Sequence, residues 1–302
     1  MSTVPAAADD RSAVARRLVE WLRGASIEIA AGRPHAVEAA RENFDPGTEI
    51  FVNFLPGGEP DPVIATAIAL RRAGFHPVPH IAARSMPSAA ALEDFLARAA
   101  GEAGVERVLL IAGDRAAARG PFASSAEVLA GGAIARSGIR SVGFAGHPEG
   151  SRGASAELLL PLLAGKIAAA RSAGLAPFVV SQFAFEAAPV TAWLDALRRS
   201  GIDAPVRIGI AGPATLATLV RFAVACGVGN SLRALRNRPN LVGRLLGVST
   251  PNELLRELAV ALAGSAHRAT GLHFFPFGGV ERTGTWLSET LMQLYVEAGS
   301  NP

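Results

Sequence analysis

Eight short apolar runs, at residues 26–30, 49–55, 77–83, 107–112, 141–145, 178–185, 206–211 and 271–277, each lead into a stretch with helical spacing. This alternation constrains the fold more than any other feature of the chain. A short apolar run reads as a strand covered on both faces, the situation in parallel sheets whose crossovers are helices. Strict β-then-α order argues a parallel sheet, and eight such units are what a closed (β/α)8 barrel requires. An open doubly wound sheet competes less well, because no Gly-x-Gly-x-x-Gly follows the first run. The expected fold is therefore a single (β/α)8 TIM barrel over residues 25–298. A tail and an extra N-terminal helix are expected within residues 1–24, and short extra helices at 229–247, before the last strand. The remaining helices are expected at about 34–43, 61–73 (after a loop at 56–60), 88–103, 124–136, 154–173, 188–199, 214–226, 252–266 (capped by Ser249 or Thr250) and 285–298.

Composition narrows the function classes. The 302 residues are 50% hydrophobic and 18% charged, which is globular material with ample core. The net charge of +3 comes from arginines spread over helix faces. No basic run is interleaved with aromatics, so nucleic acid is not an expected partner. Arg233 to Arg244 is the densest basic stretch and reads as surface. The single cysteine, Cys226, cannot form an intramolecular disulfide and reads as a buried structural thiol. The N-terminal stretch lacks the form of a signal peptide, and no apolar run is long enough to span a bilayer. A cytoplasmic protein with no membrane partner is expected. The apolar helices 88–103 and 252–266 leave room for a homo-oligomer.

In such a barrel, chemistry sits where strands end. The polar residues there are Glu28, Asn53, His80, Asp114, His147, Glu149, Gln182, Glu281 and Arg282. Glu28 lies between Ile27 and Ile29. Alternation points it either into the barrel or outward to a salt bridge. If inward, burial is expected to raise its pKa and make it a general acid near neutral pH. Asp114 precedes the next helix by some ten residues, too far to cap it. Gln182 can both donate and accept, as an amide-bearing heterocycle demands, and Phe183 and Phe185 flank it with ring faces. His76 and His80 straddle a strand start, and there is no His-Glu-x-x-His, so no metal is expected.

These residues resemble the methylenetetrahydrofolate reductase family. Ser26-Ile27-Glu28-Ile29, Pro79-His80-Ile81, Gly113-Asp114, Pro148-Glu149, Ser181-Gln182-Phe183-Ala184-Phe185, Gly212-Pro213 and Gly271-Leu272-His273-Phe274-Phe275 occur in that family's order, followed by Arg282. Gly120-Pro121-Phe122-Ala123-Ser124 is similar to its flavin-contacting loop. The resemblance implies a barrel oxidoreductase of one-carbon metabolism, on the route to methionine. Such an enzyme binds FAD and a folate substrate, and reduces 5,10-methylenetetrahydrofolate to 5-methyltetrahydrofolate with NADH or NADPH. Catalysis would fall to Glu28 and Asp114, and substrate binding to Gln182, Phe183 and Arg282. Asn53, His80, Gly113, Asp114, Phe122, Ala123 and Arg171 would hold the cofactor. The sequence departs from the family over residues 150–175, where Glu157, Lys166 and Arg171 fall out of register, and in the longer loop Pro276 to Gly279. Two alternatives follow from these departures: a flavin-independent enzyme of folate-linked methyl catabolism, and a non-catalytic folate-binding barrel.

Overall fold

The computed structural model describes residues 6–54, 57–151, 153–228, 247–263 and 270–299. The expected strands form. They are β1 (Ser26–Ala30), β2 (Glu49–Asn53), β3 (His76–Ala82), β4 (Arg107–Ile111), β5 (Ser141–Gly146), β6 (Ala176–Ala184), β7 (Val206–Ala211) and β10 (Thr270–Phe275). They close, all parallel, in the order β1-β10-β7-β6-β5-β4-β3-β2. The chain is thus a (β/α)8 TIM barrel. Two further strands, β8 (Ala214–Thr215) and β9 (Val248–Ser249), pair antiparallel outside it.

The helices are α1 (Ala6–Arg23), α2 (Pro34–Asn43), α3 (Pro60–Arg72), α4 (Ala89–Gly101), α5 (Ser125–Ala130), α6 (Ala133–Arg136), α7 (Ala156–Ser172), α8 (Ala187–Arg199), α9 (Leu216–Cys226), α10 (Asn252–Ala261) and α11 (Val280–Ala298). None is long and apolar enough to cross a membrane. Helix α1 packs outside the barrel on α10 and α11. The helix expected over 124–136 is two pieces, because the chain turns left-handed at Gly132 with φ of 70°. Helix α10 is capped by Pro251 without a side-chain bond, so neither Ser249 nor Thr250 caps it. Helix α11 begins five residues before the expected start, directly after Gly279 at φ 110°. The helices expected at 229–247 and the basic stretch from Arg233 to Arg244 fall on residues 229–246, outside the described residues.

Strand alternation sorts the side chains. Ile27 and Ile29 enter the core beneath the helices, while Phe51, Val78, Leu109, Phe178 and Val180 fill the barrel's interior. Two glycines make that filling possible. A Cβ on Gly143 would sit 2.4 Å from the Phe178 ring, and one on Gly209 would sit 2.2 Å from the Ser181 carbonyl. The Gly209 N–H donates to Ser181 Oγ at 2.8 Å. The β6–β7 register shifts between Val180 and Phe183. Such a bulge re-aims side chains at the rim, and here it carries Gln182.

Candidate active site

At the C-terminal ends of the strands lies a cavity of about 790 Å³. Glu28 from β1, Asn53 from β2, His80 from β3, Asp114 after β4, His147 after β5, and Gln182 and Phe183 from β6 all line it. Of the polar residues expected at strand ends, Glu28, Asn53, His80, Asp114, His147, Gln182 and Glu281 therefore converge, whereas Glu149 and Arg282 are not among the lining residues.

Glu28 stands at the base of this cavity with its side chain 14% exposed. Its Oε1 accepts from Asn53 Nδ2 at 3.1 Å. Its Oε2 lies 3.5 Å from His80 Nε2 and 3.7 Å from His273 Nε2. The other ring nitrogen of His273, Nδ1, is 2.9 Å from Ser26 Oγ. When Ser26 donates to Nδ1, the ring proton of His273 sits on Nε2, facing the carboxylate. His80 Nε2, His273 Nε2 and Asn53 Oδ1 are buried and have no hydrogen-bond partner among the described residues. Buried polar atoms of that kind cluster where a ligand or a proton is handled. Among the described residues, no three such groups converge in a metal-holding geometry.

The protonation state differs from the sequence expectation. Burial does pull the Glu28 carboxyl upward. However, His273, His80 and Asn53 together outweigh it, and the carboxyl lies below its ordinary range. Burial lowers His80 and His273 against the pull of Glu28. At neutral pH the cluster is a carboxylate between two neutral imidazoles. The sequence exposes the burial but not the partners, so a raised value was the wrong expectation. His147 is pushed down to about 4 by burial and by the charge of Lys166.

The opposite wall is aromatic. Phe183 meets Phe277 edge-on at 4.8 Å and Phe275 at 5.8 Å. Phe222 of α9 lies parallel to Phe277, at 4.0 Å and 13°. Gln182 sits beside them, and its Nε2 donates to the Cys226 carbonyl at 2.9 Å. Cys226 is half-buried and lines the cavity, rather than being sealed in the core.

Four expected cofactor positions lie elsewhere. Gly113 makes the left-handed turn behind Asp114, at φ 85°. Phe122 is packed in the main core. Ala123 is exposed, and its N–H donates to Glu127 Oε2 at 2.7 Å, as part of the start of α5. Arg171 ends α7 at the far face of the barrel, paired with Asp203. Arg282 is exposed, and its neighbour Glu281 lines the cavity instead. Among the described lining residues Glu28, Asp114 and Glu281 are acidic, and Arg33 is the arginine. That set does not fit the diphosphate and ribityl chain of a flavin dinucleotide.

Sequence reasoning missed His273, Arg33, Phe222, Phe275 and Phe277 as parts of the site. For His273 a signal existed: a polar residue in the middle of an apolar strand, two positions before an aromatic of the same face.

No family model matches the chain. Among the solved structures that resemble it are the following two. One is an uncharacterized protein of Clostridium thermocellum described as binding two copies of 5-methyl-5,6,7,8-tetrahydrofolic acid. It superposes with a TM-score of 0.55 at 10% identity, over 94% of this chain and 99% of its own. At that identity the likeness speaks to the fold alone. The other is the apo form of a Toxoplasma gondii protein assigned as a deoxyribose-phosphate aldolase. It aligns with a TM-score of 0.41 at 11% identity, over 94% of this chain and 98% of its own, and carries no argument.

Proposed function

We propose that the cavity binds a reduced folate and that the protein is a folate oxidoreductase. It would take 5,10-methylenetetrahydrofolate to 5-methyltetrahydrofolate at the cost of NADH or NADPH. The observation that carries this reading is Glu28, held between His80, His273 and Asn53 at the base of a cavity with an aromatic opposite wall. The 5-methyltetrahydrofolate bound by the Clostridium thermocellum barrel is the product of this reaction, which supports the reading.

The chemistry needs one proton and one hydride. Protonation of N10 breaks its bond to the bridging carbon and leaves an iminium at N5. A hydride from C4 of the dihydronicotinamide then reaches that carbon, giving the methyl group and the oxidised nucleotide. Glu28 and its imidazoles are the groups that hold and hand over the proton. A pterin seated in the mouth removes water from Glu28, and this desolvation drives its carboxyl toward the protonated form. Asp114 accepts from the pterin's N–H groups, Gln182 pairs with its amide edge, and Phe183 offers an apolar ring face. Because the lining does not fit a flavin, the hydride passes directly between the two ligands in this reading.

A folate-binding barrel without catalysis would bind 5-methyltetrahydrofolate but leave the nucleotide unoxidised. The test is nucleotide oxidation at 340 nm, with the protein and 5,10-methylenetetrahydrofolate. Wild type is expected to turn over. Glu28→Gln is expected to lose at least 100-fold in kcat while still binding 5-methyltetrahydrofolate. Unchanged turnover in Glu28→Gln would remove the proton-donor role, and no turnover in wild type would remove the reductase reading.

A further inference from the structure

The barrel has a second polar end. At the N-terminal ends of the strands is a cavity of about 390 Å³, lined in part by Arg107, Ser141, Phe178, Pro205, Arg207 and Gly271. Both arginines grip one carboxylate. Arg107 Nη1 is 2.8 Å from Glu49 Oε1, and Arg207 Nη2 pairs with Glu49 Oε2. Arg207 Nη1 also donates to the Gly24 carbonyl at 3.1 Å. The Arg207 side chain is 21% exposed and that of Glu49 18%, so this pair is held largely out of water, whereas Arg107 is 48% exposed. Gly271 lies beside the pair, its Cβ direction pointing to within ordinary contact, 3.5 Å, of Arg207 Nη1.

An ion pair that only closed the barrel floor would need one arginine for one glutamate. Here two guanidiniums share a single carboxylate, leaving one positive charge facing an open cavity. Both Glu49 oxygens are engaged, whereas Arg107, with five N–H groups, spends one on Glu49. Guanidinium forks of this kind suit carboxylate and phosphate heads. Of the remaining lining, Pro177, Phe178 and Pro205 are apolar, and Ser141 is polar but uncharged.

We propose that this cavity is a binding site for a small organic acid, its anionic head on Arg107 and Arg207 and its body against Phe178 and Pro205. The site is separate from the mouth and independent of the function read there. It is not electrically isolated from it, because Arg207 lowers and Glu49 raises the proton affinity of His273. A bound anion that offsets Arg207 would be felt at the base of the active site.

The probes are benzoate and inorganic phosphate at constant ionic strength, read by thermal shift and calorimetry. Wild type is expected to show a saturable rise in Tm with at least one of them, and the stronger probe assigns the head as carboxylate or phosphate. Arg107→Ala is expected to weaken that binding at least tenfold. Ser141→Phe fills the cavity without touching a charge and is expected to abolish binding, which separates this site from Arg33 at the mouth. No saturable shift with either probe overturns the proposal, as does binding that survives in both variants.

Discussion

His273 Nε2 lies 3.7 Å from Glu28 Oε2, and the Nδ1 of the same ring lies 2.9 Å from Ser26 Oγ. The two partners come from opposite ends of the chain and meet because β1 and β10 close the barrel, with Ser26 in register with His273. A hydroxyl, an imidazole and a carboxylate are thereby neighbours, and when Ser26 donates to Nδ1 the ring proton of His273 faces Glu28.

Replacing His273 by Asn removes the ring but keeps a polar group of similar reach. The expected result is a fall in kcat of roughly tenfold to a hundredfold, with KM for the folate little changed. The alkaline limb of the pH–rate profile, where the proton donor is lost, should move to higher pH, since Glu28 loses a buried neighbour that holds its pKa down. An unchanged profile would make His273 a packing residue.

Stability should fall on acidification before any ordinary carboxylate titrates. His80, His147 and His273 all have folded pKa values below the usual 6.5. The unfolded chain therefore takes up protons first, and stability present above pH 6.5 is lost as the pH drops below it. For His147, held at about 4, the loss is roughly 1.4 kcal/mol per pH unit, or ~2 kcal/mol at pH 5. Glu28 acts lower, where its depressed pKa means a further loss as the pH falls through the folded value. Tm measured from pH 7.5 to 5 should decline, and His147→Gln should flatten part of the slope.

Phe183 is buried at 3% exposure and meets three other rings edge-on. If it offers its face to a pterin, Phe183→Leu should raise KM for the folate about tenfold and leave that for the nucleotide unchanged. An equal effect on both ligands would assign the ring to packing alone.

Gly143 has no room for a side chain. Gly143→Ala places a Cβ 2.4 Å from Phe178 and should cost about 1–3 kcal/mol by overpacking. Chemical denaturation measures it. Gly143→Ala/Phe178→Leu should recover part of the loss, because the clash is with that ring.

The sequence displays the fold because each barrel strand is apolar on both faces and each crossover is helical, a pattern that needs no partner to be read. Convergence of Glu28, Asn53, His80, Asp114 and Gln182 was legible for the same reason: strand ends in a barrel share one rim. Pairwise facts were not. Glu28's depressed pKa depends on His273, which is 245 residues away and neighbours it only through barrel closure. Phe222 and Phe277 meet across a helix and a loop whose path no periodicity encodes. Arg171 and Phe122 were placed by family resemblance alone. Their local surroundings, an ion pair with Asp203 and the core beside α5, settle them elsewhere.

The most direct test of the account follows the hydride itself. The protein is given 5,10-methylenetetrahydrofolate and NADH carrying deuterium at the transferred C4 position, in ordinary water, and the product is read by mass spectrometry. Direct transfer at the Glu28 site predicts one deuterium in the 5-methyl group of the product. A methyl group carrying hydrogen from the solvent would show that the hydride passes through an exchanging carrier, and absence of any methyl product would contradict the reductase reading altogether.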